Sequence, residues 1–396
     1  MRSLSRPSEP AATLSVARHT GPLAELECVW SRLIDPAQPG APFRTYPWIS
    51  SWWKHASTSR ELVVLVARRG GEVLGLLPLY AERTTLGGRR LRFLGDGIVG
   101  SDDLGILCRA EHRSDCAAAF ADHLLDCGAD ELQLDDLLAE DPLCSALLAR
   151  SPEGSGAPQL EARYRCPFVR TDGDFAKFLA ALPDGLGAQW HRRKKWLQKF
   201  PDFRVELLHT PEEVARGMDV LFDLHRQRWA LEGGSDAIDG PRVESFHREA
   251  AARLAELGWS RVYLLHVDGA PRAALYGWRH GDRFSFYQAG HEPAWRPRSV
   301  GTVLLGFVLK ECFESDVSEF DFLRGDEPYK LRWATAWRET VRLRARGAGL
   351  RPWLDERARL AWAQLRAAGK RALPSDAVAW VRAQRRAIAA RRGGST

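Results

Sequence analysis

One order of elements is written twice in this chain, about 190 residues apart, and that repetition limits the fold more than composition does. In the first copy the aliphatic run 62–67 passes through the Gly70-Gly71 turn into 73–80, the pattern of a hairpin, and 91–95 supplies a third strand. Apolar residues at helical spacing over 115–127 and a cleanly alternating run over 131–135 complete it. In the second copy 262–267, the turn Asp268-Gly269, 272–278 and 284–287 give a hairpin and a third strand again. A helix over 302–313 and a strand over 319–323 follow. A β-β-β-α-β order repeated at this length predicts an α/β (α+β) fold class: two tandem copies of one domain, each a mixed central sheet flanked by helices.

A chain of 396 residues is long for one core, and 45% hydrophobic with 27% charged residues is a globular composition. The expected division is a disordered N-terminus over 1–20, a first domain over 21–151, a Gly/Ser/Pro-rich boundary at 152–158, a second domain over 159–346 and a basic helical tail over 351–396. Ahead of the first copy, 22–34 reads as a short helix, and Trp48 and Trp52 at i, i+4 place rings on one helix face, a core-packing pattern. Between the copies, 189–200 is a basic amphipathic helix in which Arg192-Arg193-Lys194-Lys195 precede Trp196 and Phe200. Four consecutive cations read first as a solvated face and second as a polyanion contact. Further helices are expected over 211–231, 243–257, 358–367 and 376–392.

The net charge of +6 is local. From Arg351 to the end there are 11 Lys and Arg against 3 Asp and Glu, so the tail carries +8 and the remainder −2. Cationic helices bearing Trp362 and Trp380 suit capping of a neighbouring domain or an anionic surface. The seven cysteines are scattered and never spaced Cys-x-x-Cys, which argues against a zinc site and a disulfide framework and fits a reducing compartment. Residues 1–12 lack the apolar run of a signal sequence, and no stretch reaches the ~18 uncharged residues a membrane span needs, so the expectation is a soluble, cytoplasmic protein without a metal.

The stretch Tyr287-Gln288-Ala289-Gly290-His291-Glu292-Pro293-Ala294-Trp295-Arg296-Pro297-Arg298-Ser299-Val300-Gly301-Thr302 runs from an aromatic strand through a basic loop into a helix start. Amides in a helix's first turn have no intrahelical partner and sit at the positive end of the helix dipole, so phosphate oxygens can settle on Val300, Gly301 and Thr302. Arg296 and Arg298 add charge, and Gly301 permits close approach.

The ordered set Arg226-x-Arg228-Trp229, Asp268-Gly269-Ala270-Pro271, Tyr287-x-x-Gly290-x-x-Pro293, Ser299-x-Gly301 and the run Asp321-Phe322-Leu323-Arg324-Gly325-Asp326-Glu327-Pro328-Tyr329-Lys330-Leu331-Arg332-Trp333 resembles the GNAT-type N-acyltransferases of the CelD/BcsL cellulose-biosynthesis group. These are related to the Fem-type transferases with tandem GNAT domains. The resemblance covers residues 165–346, and the first copy is similar to the degenerate first domain often found in the group. It implies acyl transfer from acetyl-CoA or another acyl-CoA to an amine. The GNAT phosphate signature Arg/Gln-x-x-Gly-x-Gly/Ala maps onto Arg298-Ser299-Val300-Gly301-Thr302-Val303, with bulkier Val303 at the last position.

Transfer needs a base for the amine and an acid for the leaving thiolate. Asp321, Asp326 and Glu327 are the candidate bases and Tyr329 the candidate acid. Lys330 is a candidate for a substrate anion, and His291 is a further base. The partners implied are a small-molecule acyl donor and an amine acceptor in polysaccharide or cell-envelope biosynthesis, with RNA or an anionic surface as candidate contacts of the basic helix and tail. Two other functions fit the pattern: a Fem-type aminoacyl-tRNA-dependent transferase, and a catalytically inactive scaffold of a polysaccharide synthase complex. In the first copy Gly100-Ser101-Asp102-Asp103 carries acids, which repel phosphate. The sequence therefore predicts one donor per chain by calorimetric titration; a stoichiometry of two would contradict it.

Overall fold

The fold is held together in its middle by two strands that each half lends to the other. The structure is a computed structural model that describes residues 14–97, 99–150, 156–230, 240–347 and 349–372. The strands are β1 (Ser15–Arg18), β2 (Glu61–Arg69), β3 (Glu72–Arg83), β4 (Arg89–Phe93), β5 (Leu107–Cys108), β6 (Glu131–Leu138), β7 (Gln159–Arg170), β8 (Arg204–Leu208), β9 (Ser260–Val267), β10 (Ala270–His280), β11 (Arg283–His291), β12 (Glu319–Asp321) and β13 (Ala336–Arg346). The helices are α1 (Glu27–Leu33), α2 (Ala41–Arg44), α3 (Tyr46–Ala56), α4 (Arg113–Asp126), α5 (Pro142–Arg150), α6 (Phe175–Ala181), α7 (Leu186–Leu197), α8 (Pro211–Ala230), α9 (Pro241–Glu256), α10 (Val300–Phe313), α11 (Pro328–Leu331) and α12 (Leu350–Ala372).

All strands but β5, which pairs with β3, lie along one sheet in the order β1-β2-β3-β4-β6-β13-β7-β12-β11-β10-β9-β8. Read inward from either end, the halves match. Each has a hairpin and a third strand, and then a fourth strand set parallel to the third after a helical crossover: β4 with β6 across α4, and β11 with β12 across α10. In the middle the connections cross. Strand β7 follows α5 of the first half but pairs with β12, Val169 opposite Phe320, while β13 ends the second half but pairs with β6, Val341 opposite Leu137. The sheet consequently has no seam at the 152–158 boundary, of which residues 151–155 lie outside the described residues.

Charged side chains fasten this crossing. Arg338 of β13 reaches Asp321 at 2.5 Å and also Glu319, Arg342 holds Asp135, and Arg344 donates to Gln133 at 3.0 Å. Acids of the turn after β4 and Asp136 of β6 also bind arginines, across the halves or within the first. Asp102 and Asp136 bind Arg324 of the second half, and Asp103 accepts from Arg44 at 2.6 Å and from the Gly40 amide at 2.9 Å. Beside them an aromatic cluster spans the halves. Trp48 of α3 lies edge-on to Trp278 at 5.4 Å and to Phe246 at 4.9 Å, and the Tyr287 hydroxyl donates to the Val99 carbonyl. Rings of this size bury on the order of 200 Å² each, worth several kcal/mol at about 25 cal/mol per Å². The Trp48 and Trp52 face is core, as its spacing predicts.

Two expectations about the ends change. Ser15–Arg18, inside the stretch expected to be disordered, is a strand because its backbone completes the edge of β2, with Ala17 opposite Val66. Residues 1–13 and the helix expected over 376–392 lie outside the described residues. The helix expected over 358–367 is the middle of the longer α12.

Asp136 reports on the crossing through pH. Burial pushes its carboxyl from 3.8 up to about 6, with Arg324 opposing and Asp102 reinforcing the rise. A carboxyl raised on folding contributes stability that is complete below 3.8 and is lost as the pH rises through about 6. Asn tolerates the left-handed backbone of this position, where φ is 64°. Asp136→Asn should therefore flatten the fall in unfolding free energy over this window by an amount on the order of 2 kcal/mol. Denaturant titrations at pH 4 and pH 7 read this, and an unchanged slope would remove Asp136 as its source.

Candidate active site

The cleft begins where β11 outlasts its neighbour. Pairing of β11 with β12 stops at Ser285 opposite Asp321, and no strand among the described residues pairs with 286–291 on that side. On its other edge β11 stays paired with β10 through a register shift at Tyr276/Gly277. The free edge opens a cleft of about 240 Å³, lined along the strand by Phe286, Ala289, Gly290 and His291. Gly290 is required by close approach, since a Cβ there would lie 2.7 Å from the His225 amide nitrogen of α8.

After β11 the chain makes a 3-10 turn, Pro293–Arg298, and then Ser299 adopts a left-handed backbone, φ 58° and ψ 36°. That conformation costs a non-glycine residue ~1 kcal/mol or more. It turns the chain into α10 so that Ser299, Val300, Gly301 and Thr302 line the cleft, and no side chain caps the helix start. Uncapped first-turn amides and the helix dipole give this end of the cleft a positive potential. A Cβ on Gly301 would meet only His291 Nδ1, at 3.8 Å, which places that imidazole directly over the helix start.

Five of the six expected donor contacts, Arg296, Ser299, Val300, Gly301 and Thr302, are brought together here. Arg298 is not, because its guanidinium stacks on the Trp196 ring at 4.2 Å, outside the lining. Val303 is fully buried in the cluster between α7 and α10, and its carbonyl accepts from Trp190 Nε1 at 3.1 Å. Its bulk therefore points into the core and leaves the cleft unobstructed.

Of the expected acid and base residues, His291 and Tyr329 line the cleft, and Asp321, Asp326 and Glu327 do not; nor does Lys330, the candidate for a substrate anion. Alternation along the chain explains Asp321. Phe320 and Phe322 join the core cluster with α10, so Asp321 projects from the opposite face, where it pairs with Arg338 and caps the Leu323 amide at 2.8 Å. Burial raises its carboxyl to about 6, with Arg338 opposing. Asp326 is exposed on the turn. Lys330 is buried and donates to the Arg324 carbonyl at 2.6 Å while pairing with Glu327 at 3.0 Å, so this pair closes the turn and fixes α11. Tyr329, the residue before Lys330, is 40% exposed as a whole; desolvation and Glu327 push its ionisation up, with Arg228 opposing, and its hydroxyl keeps its proton at neutral pH.

Sequence reasoning assigned no role to three further lining residues, Arg228 of α8, Arg332 and Trp333. All three belong to the quoted motifs, and that membership is the signal that could have found them. The far wall is apolar, formed by Leu186, Leu275, Leu304 and Leu305. The cleft thus has an anion-binding end at α10, an imidazole beside it, an apolar wall, and a phenol flanked by arginines at the α11 side.

Residues 187–331 match the family model described as an acetyltransferase (GNAT) domain. No curated protein matches the chain in sequence. Among solved structures the chain is similar to FemX, with 10% identity, covering 80% of this chain and 95% of that one at a TM-score of 0.56. It is also similar to a conserved protein of unknown function from Bacteroides thetaiotaomicron VPI-5482, with 11% identity, 84% and 100% coverage and a TM-score of 0.51. A third is the C-terminal domain (DUF2156) of a putative lysylphosphatidylglycerol synthetase from Agrobacterium fabrum, with 11% identity, 84% and 95% coverage and a TM-score of 0.51. Identities this low show the fold alone. The match and the repeated halves together make this a chain of tandem GNAT-like α/β fold, with residues 187–331 of the second half matching the acetyltransferase (GNAT) domain model.

Proposed function

We propose that the chain is an N-acyltransferase that moves an acyl group, acetyl in the first instance, from acyl-CoA to an amine. The observation that carries the reading is the uncapped first turn of α10 opening, with Arg296, into a cleft whose other wall is apolar. Diphosphate oxygens suit the amides of Val300, Gly301 and Thr302, and a pantetheine arm suits the free edge of β11. In the reaction the amine nitrogen attacks the thioester carbonyl carbon, the C–S bond breaks, one amine proton passes to a base and the thiolate takes a proton from an acid. His291 is the imidazole in place for the first transfer, and Tyr329, held protonated, for the second. Polysaccharide or cell-envelope amines are the acceptors the sequence resemblance favours.

One observation favours a second reading, in which the donor is an aminoacyl-tRNA. Arg192, Arg193, Lys195 and Lys199 are exposed on and just after α7, whose Trp196 stacks with Arg298 beside the cleft, a cationic and aromatic surface suited to a nucleic acid backbone. Release of free CoA thiol from acetyl-CoA in the presence of an amine panel decides for the first reading; acyl transfer only from charged tRNA decides for the second.

The donor site makes a direct prediction. Gly301→Glu places a carboxylate among the first-turn amides, where the nearest neighbour leaves room for a Cβ, so the fold should persist while acetyl-CoA affinity falls at least about 100-fold. Unchanged calorimetric affinity in the folded variant would put the donor elsewhere. The acid and base roles predict that His291→Gln and Tyr329→Phe each lower turnover by roughly 10²–10⁴-fold with nearly unchanged donor affinity, whereas Asp326→Asn leaves turnover intact. Full turnover in both His291→Gln and Tyr329→Phe at saturating donor would leave proton transfer to the substrate itself.

A further inference from the structure

Outside the cleft, one face of α12 is a feature the proposed activity does not use. The first turns of the helix are fastened to the first half. Asp355 accepts from the Thr84 hydroxyl at 2.6 Å and from the Leu86 amide at 2.8 Å, Pro352 is buried beside it, and Arg351 donates to the Leu86 carbonyl. At about 100° per residue, Leu350, Trp353, Leu354, Leu360 and Leu365 share an arc of about 140° on the side away from Asp355, with Arg357 and Gln364 among them. They are open to solvent: Leu350 is 71% exposed, Leu365 64% and Leu354 41%. Trp362, seven residues after Asp355, lies on the anchored side and is 58% exposed, and Leu86 of the anchoring turn is 48% exposed there. Single exposed apolar side chains are ordinary; here five fall within one arc of one helix, interrupted by Arg357 and Gln364.

Charge chooses the occupant. Arg351 and Arg357 are exposed on this helix, the Arg357 guanidinium lies 5.2 Å from the Trp353 ring centre, and the sequence continues with Arg366, Lys370 and Arg371. From Arg351 onward the chain carries 11 cations against 3 acids, in contrast to the acidic remainder. A nucleic acid would satisfy the cations but leave the leucines in water, and a second copy of the same helix would bring cation against cation. A bilayer surface of anionic lipid satisfies both, with the leucines and Trp353 seated at the acyl boundary and Arg351 and Arg357 reaching out to phosphate headgroups. Among the described residues no helix is long and apolar enough to cross a membrane, so the contact is peripheral. We infer that the Leu350, Trp353, Leu354, Leu360 and Leu365 face of α12, with Arg357 within it and Arg351 beside it, is a docking surface for an anionic lipid membrane.

The test is co-sedimentation of the full chain with vesicles of phosphatidylcholine alone and of phosphatidylcholine with one quarter phosphatidylglycerol. Binding to the anionic vesicles only is expected, weakening roughly tenfold when salt rises from 0.1 to 0.5 M. The double variant Leu354→Asp/Leu365→Asp, whose sites are solvent-exposed, should keep its circular dichroism and acetyl-CoA affinity and lose vesicle binding at least tenfold. Failure to bind anionic vesicles, equal binding to both compositions, or full binding by the double variant overturns the inference. So does a concentration-dependent dimer in sedimentation velocity that the double variant abolishes, since the face would then belong to a second copy.

Discussion

Arginines projecting from a strand in the middle of a sheet hold the two halves of this chain in one frame, and the cleft depends on that frame. Arg338, Arg342 and Arg344 sit on β13, a strand of the second half lodged against β6 of the first, and each meets carboxylates or an amide contributed by other strands. Removing such charges from water is costly, and their mutual attraction offsets the cost only with well-satisfied geometry. That requirement fixes β13 and β7 in register and, through β7, fixes β12. Because β12 is short and held from behind, β11 runs past it, and the unpaired edge of β11 is the wall of the cleft.

The same chemistry accounts for the difference between the halves. Both have the crossover that puts a helix start beyond a parallel strand pair, the place where such sheets bind ligands. In the second half the turn into α10 offers Arg296 and uncapped amides. In the first half the turn after β4 offers Asp102 and Asp103, and both are engaged with arginines, Arg324 from the second half and Arg44 from the first. One copy of the domain has turned its loop into a clamp that positions the other. Arg324 lies in the same turn as Lys330 and Tyr329, so the clamp also sets the phenol at the mouth of the cleft.

Much of this was legible in the sequence, and the exceptions have physical reasons. The two hairpins, the third strands and the crossover helices were readable because their apolar periodicity is strong. Strands β7 and β13 were not, since Gln159, Glu161, Arg163, Arg165 and Arg170 break the apolar pattern of the mostly exposed β7, and half-buried arginines alternate with Val341, Leu343 and Ala345 in β13, with acidic partners that only the three-dimensional pairing supplies. The Ser299 to Thr302 turn was readable because helix-start chemistry is local. Asp321 was placed at the right end of the right strand but on the wrong face for a cleft base. The alternation Phe320-Asp321-Phe322 contains that information once the side on which α10 packs is known. Arg228 needed the docking of α8 against β11, which depends on Gly290 and on nothing local to the arginine.

The central claim is that a CoA thioester lies with its diphosphate on the start of α10 and its acyl end between His291 and Tyr329. A crystal structure of the chain with a non-hydrolysable acetyl-CoA analogue tests it most directly. The account predicts diphosphate oxygens within hydrogen-bond distance of the Val300, Gly301 and Thr302 amides, and the acyl carbonyl near both side chains. Analogue bound against the Ser101 to Asp103 turn or between the halves, with residues 299–302 contacting only solvent, would contradict it.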